Sequence, residues 1–285
     1  MATTLSIVIP AYNEGARIQQ TLLDILEFAS LAPYKTEVIV VDDGSRDRTP
    51  EIVSSLVDQY RRSGCDLRLL TNTPNRGKGY SVKRGMTEAV GEIVLFTDAD
   101  LSAPITEAPK LVDPIATNRA DITFGSRALD RSLIGVHQPV FRDFGGRIFN
   151  LLLRMITWMP FKDTQCGFKA FRRELALPIF HLQRIERFGF DPELLYIARK
   201  HGLRLQEIPV IWNHYEGSTL SYFSDSVKMF TDLAMIRLND LRGRYDYIDD
   251  TAQRQHRPHR NDTAGPAVAR AEPDCSSRSG RLGRS

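Results

Sequence analysis

Two carboxylates flanking a single alanine, Asp98-Ala99-Asp100, stand directly after the apolar run Ile93-Val94-Leu95-Phe96. A strand that ends by presenting two acids one residue apart offers hard oxygen ligands. Those suit Mg²⁺ or Mn²⁺, ions that commonly hold phosphate oxygens. Acids in such a place also cap a following helix, and the pair alone does not decide between the two roles. It has companions. Val8-Ile9-Pro10-Ala11-Tyr12-Asn13-Glu14 and Val40-Val41-Asp42-Asp43-Gly44-Ser45 also follow apolar β-branched runs and precede helical patterns. Three polar strand ends of this kind gather on one edge of a parallel sheet, the edge at which open α/β folds bind nucleotides. Pro10 and Tyr12 can wall one face of a base, Glu14 can accept from ribose hydroxyls, and Asp42 or Asp43 can accept from a base N–H edge. The local alternative is that Pro10 ends a strand, Asp42-Asp43-Gly44-Ser45 makes a turn and Asp47 caps the next helix. Arg76-Gly77-Lys78-Gly79 opens a further helix, where backbone N–H groups and Lys78 favour an anion.

The elements that must position these groups are legible as alternation. Leu5–Ile9, Glu37–Val41, Leu67–Leu70, Glu92–Phe96 and Asp121–Phe124 read as strands, mostly continuous apolar runs of the kind covered on both faces. Helical segments lie between them at about 15–30, 48–63, 77–90 and 105–118. Ile18, Leu22, Ile25 and Leu26 form the apolar face of the first. The economical solution is an α/β fold, a doubly wound and mostly parallel sheet with helices on both faces. Beyond residue 125 the rhythm changes. The pattern predicts a helix near 141–159, a short strand at Lys169–Phe171, a helix at about 191–201, a strand at about 203–211 and an amphipathic helix over Tyr222–Arg242. Residues 1–247 therefore read as one domain. Residues 248–285 read as a disordered tail of Arg, Pro and Ser, with little apolar surface to offset chain entropy.

The formal charge is +3, but the seven arginines of residues 251–285 face only Asp262, Glu272 and Asp274, so the first 250 residues sum to −1. A nucleic-acid partner is not expected of such a domain. Cys65, Cys166 and Cys275 are scattered, which points to a reducing compartment and against a disulfide framework or a zinc site. No secretory signal precedes Leu5 and no window reaches the ~20 apolar residues of a spanning helix, so a cytoplasmic location is expected.

Together these segments resemble family 2 glycosyltransferases of the GT-A fold, over roughly residues 5–245, and in particular their dolichyl-phosphate glucosyltransferase and mannosyltransferase branch. Asp163-Thr164-Gln165-Cys166-Gly167-Phe168-Lys169 looks like the glucosyltransferase form of a family motif. The resemblance implies a nucleotide-sugar donor, UDP-glucose first, and a polyprenyl (dolichyl-type) monophosphate acceptor. Pro10, Tyr12, Glu14, Asp42, Asp43, Lys78, Asp98, Ala99 and Arg131 would bind the donor, with Mg²⁺ or Mn²⁺ on Asp98 and Asp100. Arg127 would face phosphate, Gln165 would bind sugar hydroxyls, and Asp191 would orient a hydroxyl or act as base, unless it serves as a helix cap. Cys166 reads as a packing residue rather than a nucleophile.

One departure stands out. Relatives often place a lysine where this chain has Thr219, so that either Lys228, Lys169 or an arginine substitutes, or diphosphate binding is weaker. GDP-mannose as donor and a soluble or glycan acceptor stay open, as does a non-catalytic nucleotide-sugar sensor. The oligomeric state is not legible. Phe144, Ile148, Leu151, Leu152, Met155 and Trp158 recur at helical spacing, which fits a helix lying in a bilayer interface or one packed on the sheet.

Overall fold

The structure is a computed structural model that describes residues 4–61, 66–136, 153–213 and 222–246. Strands β1 (Thr4–Ala11), β2 (Lys35–Asp42), β3 (Asp66–Thr71), β4 (Ile93–Thr97) and β5 (Ile122–Ser126) alternate with helices α1 (Ile18–Leu31), α2 (Thr49–Arg61), α3 (Lys78–Glu88) and α4 (Ala108–Ala116). There follow β6 (Ile134–Val136), β7 (Phe168–Arg172), α5 (Arg173–Leu182), α6 (Phe190–Lys200), β8 (Leu205–Pro209), β9 (Trp212–Asn213) and α7 (Tyr222–Leu241). The main sheet has the order β3-β2-β1-β4-β7-β5-β8, while β6 and β9 pair separately. All its pairings are parallel except those of β7, which runs antiparallel between β4 and β5.

Burial on both faces accounts for the unbroken apolar strands. Ile7, Ile9, Val38, Val40 and Leu95 point to one side, against Ile18, Leu22, Val53, Leu111 and Val112 of α1, α2 and α4. Their neighbours Val8, Ile39, Val41, Val94 and Phe96 point to the other, against Val82 and Met86 of α3, Ile179 and Phe180 of α5, and Leu194 of α6. Each such side chain contributes roughly 1.5–3 kcal/mol through burial, and that sum keeps the strand ends in register.

The structure departs from the pattern-based reading at several places. Helix α5 is not foreseen, although Leu175, Ala176, Ile179 and Phe180 are all buried at helical spacing. Pro178 lies inside it, and the burial of those four side chains outweighs the lost backbone bond. The expected strand over 203–211 is confined to β8, Leu205–Pro209, and a separate β9 at Trp212–Asn213 joins a different sheet. The first helix begins at Ile18 because Arg17 and Ile18 N–H groups close a turn onto the Glu14 carbonyl. Of the helix expected at 141–159, only 153–157 is described as helical, and the tail from 247 lies outside the described residues.

Glu193 of α6 ties the C-terminal region to this frame. Its buried carboxylate accepts from the Arg184 and Ile185 N–H groups at 3.0 and 2.9 Å and from the Tyr245 hydroxyl at 2.6 Å. Asn239 Nδ2 donates to the same Tyr245 oxygen at 3.1 Å. Tyr245→Phe removes one donor to a buried carboxylate and is expected to lower stability by about 1–3 kcal/mol, measured by urea unfolding; an unchanged midpoint would show that the hydroxyl holds nothing.

Candidate active site

The loop after β4 is fixed from several sides. Leu101 adopts a left-handed conformation, φ 47°, which turns the chain so that its N–H meets the Asp98 carbonyl at 3.1 Å. The Ser102 N–H donates to Asp100 Oδ1 at 2.9 Å, and Thr21 Oγ1 of α1 donates to the Ala99 carbonyl at 2.6 Å. From β9, the Asn213 N–H meets the Ser102 carbonyl at 2.8 Å. The two carboxylates are thereby presented at the end of β4, each part-exposed.

Asp98 lies between two neighbours. Lys78 Nζ, from the first turn of α3, is 2.5 Å from its Oδ1. Oδ1 is buried against this ammonium. On the opposite side stands Gly167, where a β-carbon would come within 2.2 Å of Asp98 Oδ2. Only a residue without a side chain permits this approach. Burial and then the Asp98 charge push the Asp100 carboxyl up, while Ser102 and Lys78 oppose the shift. Burial likewise raises Glu14; Arg17 opposes it, and Asp100 and Asp98 add to it. Acids crowded in this way favour a bound cation.

The donor set fits a divalent metal in one respect and limits it in another. Asp98 and Asp100 supply hard oxygens one residue apart, with Asp98 Oδ1 paired only to the Lys78 ammonium. Among the described residues no cluster of three or more His, Cys, Asp or Glu could hold a metal ion. An ion on Asp98 and Asp100 therefore needs further ligands from water or phosphate, the usual habit of Mg²⁺.

The first two strand ends are laced together. The left-handed Asn13, φ 55°, donates its N–H to Ser45 Oγ at 2.9 Å and accepts the Arg46 N–H at 2.8 Å. Asp47 accepts from the Gly15 N–H at 2.9 Å and the Thr49 N–H at 3.0 Å, so it does serve the start of α2. Pro10 is part-buried and Tyr12 is 37% exposed beside this lacing. Asp43 is buried and heavily committed. It accepts from Asn72 Nδ2 at 2.8 Å, the Arg76 N–H at 3.0 Å and the Gly77 N–H at 2.7 Å, and so holds the loop that delivers Lys78. Asp42, also buried, is met at 3.3 Å by the Ser45 N–H and is the less engaged of the two.

On the other side of β4, Arg127 makes a two-pronged pair with buried Asp163, Nε at 2.6 Å and Nη2 at 2.9 Å. The Arg127 N–H reaches the same carboxylate at 3.1 Å, as does the Gln165 N–H. Arg127 thus anchors the loop bearing Gln165, with its guanidinium 5.4 Å from the Trp212 ring. Asp163, quoted within the motif but given no role, is the organising residue missed by sequence reasoning; its position two residues before Gln165 was the available signal. Arg131 is exposed at the start of a single 3-10 turn. Burial pushes the Cys166 thiol up to about 12, which leaves it unreactive at neutral pH.

Asp191 is buried in the first turn of α6, where Gly189 and not Asp191 takes the cap position. Its Oδ1 is 2.5 Å from Lys169 Nζ. Burial raises its carboxyl, and Lys169 and then Lys78 work against that. Lys169 is fully buried and committed to Asp191 and the Cys166 carbonyl. It therefore does not stand in for the lysine expected at position 219. Thr219 and the Lys228 side chain lie outside the described residues.

Residues 6–180 match the family model described as Glycosyl transferase family 2. The chain is 36% identical over 249 residues to the dolichyl-phosphate beta-glucosyltransferase of Dictyostelium discoideum, covering 84% of this chain and 75% of that protein. It is 36% identical over 251 residues to the protein of that name from Homo sapiens, 84% and 76% being covered. The Saccharomyces cerevisiae protein is 33% identical over 255 residues, with 85% and 76% covered. Among solved structures, glucosyl-3-phosphoglycerate synthase from Mycobacterium tuberculosis in complex with uridine diphosphate superposes with a TM-score of 0.59 at 21% identity, covering 87% of this chain and 82% of that one. The same protein with Mn²⁺, uridine diphosphate and glucosyl-3-phosphoglycerate gives 0.58 at 21% identity, covering 82% and 80%. This likeness establishes the GT-A fold.

Gly167→Ala is expected to displace the Asp98 carboxylate and lower turnover about 100-fold, since a misplacement near 1 Å costs about that much. Steady-state rates together with a thermal melt check it; a variant with full activity would show that Asp98 can move without consequence.

Proposed function

The chain belongs to glycosyl transferase family 2, and from that premise we propose that it transfers glucose from UDP-glucose to a polyprenyl (dolichyl-type) monophosphate with inversion at the anomeric carbon. The carrying observation is the Asp98 carboxylate, which is backed by Gly167 and faces Lys78 at 2.5 Å beside Asp100. Such a cluster suits a donor diphosphate and its metal. The named relatives, dolichyl-phosphate beta-glucosyltransferases 33–36% identical to this chain, support glucose and the lipid phosphate.

In this reading Asp98 and Asp100 hold Mg²⁺ or Mn²⁺, which when bound offsets charge on the departing nucleoside diphosphate. Lys78 adds a second positive charge at the same place. Pro10, Tyr12, Glu14 and Asp42 receive the nucleoside, with Asp43 fixing the loop of Lys78 from behind. An acceptor phosphate oxygen forms its bond to the anomeric carbon as the carbon–oxygen bond to the diphosphate breaks, and the electron pair leaves with UDP. A phosphate monoester is already anionic near neutral pH, so the step needs no strong base. Asp191 and Gln165 orient sugar hydroxyls, and Arg127 keeps the loop of Gln165 in place while Arg131 guides phosphate. The protein's contribution is orientation and preorganised charge.

No helix among the described residues is long and apolar enough to cross a membrane. Met155 and Trp158 are 62% and 74% exposed, and Arg237 lies 5.5 Å from the Trp158 ring. An exposed indole beside a guanidinium suits the headgroup region, which supports peripheral contact with a membrane; the cytoplasmic face is part of the proposal.

The test is turnover of labelled UDP-glucose, GDP-mannose or UDP-galactose with Mg²⁺ or Mn²⁺, with and without short-chain polyprenyl phosphate in detergent. Label is expected in the organic phase from UDP-glucose alone, and Asp100→Ala is expected to abolish it. UDP release without lipid product would sink the lipid acceptor. Metal-dependent donor binding without any turnover would favour a sensor.

A further inference from the structure

Lys169 is the residue whose position the fold explains least. It lies on β7 with Phe96 and Phe124 as its cross-strand partners, and its ammonium is 5.3 Å from the Phe96 ring centre. Phe171 and Phe190 extend the same aromatic wall, each packed on Phe96. The side chain has no exposure, and Nζ donates at 2.5 Å to both the Cys166 carbonyl and Asp191 Oδ1. Desolvating an ammonium is costly, and a buried ion pair is often no better for stability than apolar residues of the same volume. A methionine or leucine would serve the packing of this wall at least as well. The benefit of the lysine lies in what it holds.

Its two contacts join two separate pieces of chain. The Cys166 carbonyl belongs to the loop between Gln165 and Gly167, and Gly167 backs Asp98. Asp191 belongs to the first turn of α6. We propose that Lys169 is a positioning residue of the transfer reaction, locking the Asp191 carboxylate and the Gln165–Gly167 loop into one rigid unit against the acids after β4. The inference rests on the reading that Asp191 faces the reacting sugar or acceptor. Lys169 itself, walled in by aromatic rings, touches neither.

The test compares wild type, Lys169→Met, Asp191→Asn, their double variant and Lys169→Arg in glucosyl transfer to short-chain polyprenyl phosphate. Lys169→Met is expected to lower kcat about 100-fold with little change in donor KM, and Asp191→Asn to do the same. The double variant should be no worse than either single one, because both act through one unit. It buries no lone charge, so its melting temperature should stay near that of wild type. Where Lys169→Met alone fails to fold, the double variant carries the comparison with Asp191→Asn.

The pH profile separates positioning from scaffolding. Asp191 is faced by Lys169 from β7, by Lys78 from α3 and by the Asp98 charge after β4. Losing the Lys169 ammonium favours the protonated acid, so the acid limb of kcat should move to higher pH in Lys169→Met. Lys169→Arg, which restores a cation, should move it back. Wild-type kcat in Lys169→Met, multiplied losses in the double variant or an unmoved acid limb would each overturn the proposal. A wild type that makes no glycolipid overturns the lipid acceptor alone. The same comparison is then read on UDP release, where equal rates for Lys169→Met and wild type would overturn the positioning role.

Discussion

Like charge collected at the end of one strand is the constraint on which this molecule turns. Asp98 and Asp100 sit one residue apart at the carboxyl end of β4, and Asp191 approaches from α6. Burial makes the Asp100 and Asp191 carboxylates more expensive to keep ionised. The fold supplies Lys78 beside Asp98 and Lys169 beside Asp191, two ammonium groups for three acids. That leaves these three acids and two lysines with a net negative charge, which suits the metal-bound diphosphate proposed above. Stability alone would favour fewer charges here. The arrangement makes sense as a surface prepared for a ligand that brings both signs of charge.

A second group of acids is committed to the loops themselves. Asp43 gathers the Arg76 and Gly77 N–H groups, Asp47 gathers those of Gly15 and Thr49, and Asp163 gathers those of Arg127 and Gln165. Each takes loop N–H groups that would otherwise lack partners and turns a flexible strand end into a defined surface. A carboxylate suits this work because two oxygens can satisfy several donors at once. In this chain one set of acids shapes the loops, while Asp98 and Asp100 keep part of their surface exposed.

That division explains how much was legible. Continuous apolar runs announced the five leading strands, and the polar residues after them marked the edge where the site lies. Residue type could not say which acid faced which way. Asp42 and Asp43 read as equals, yet the structure commits Asp43 to the Lys78 loop and leaves Asp42 the less engaged. Arg127 reads as a phosphate ligand, while two of its nitrogens are held by Asp163. Such roles depend on partners 33 to 36 residues away in the chain, a separation at which spacing carries no signal. Helix α5 was hidden by its proline, and the direction of β7 by the absence of any sequence mark for antiparallel entry.

The entry of β7 is what lets the two halves of the site meet. In a wholly parallel sheet, the loop before a strand lies at the edge opposite the binding edge. Reversing β7 brings its leading loop, Asp163 to Gly167, to the same edge as Asp98. It also sets Lys169 directly across from Phe96, two residues before Asp98 in the chain, with its ammonium directed to α6. One antiparallel strand among parallel neighbours thereby brings the 163–167 loop and Asp191 to the loops that follow β1, β2 and β4. The aromatic wall around Lys169 lowers the local dielectric, and in that setting a 2.5 Å contact between opposite charges is hard to break. At this junction Lys169 holds the Cys166 carbonyl and Asp191 at once, so the geometry of the two halves is coupled through one side chain.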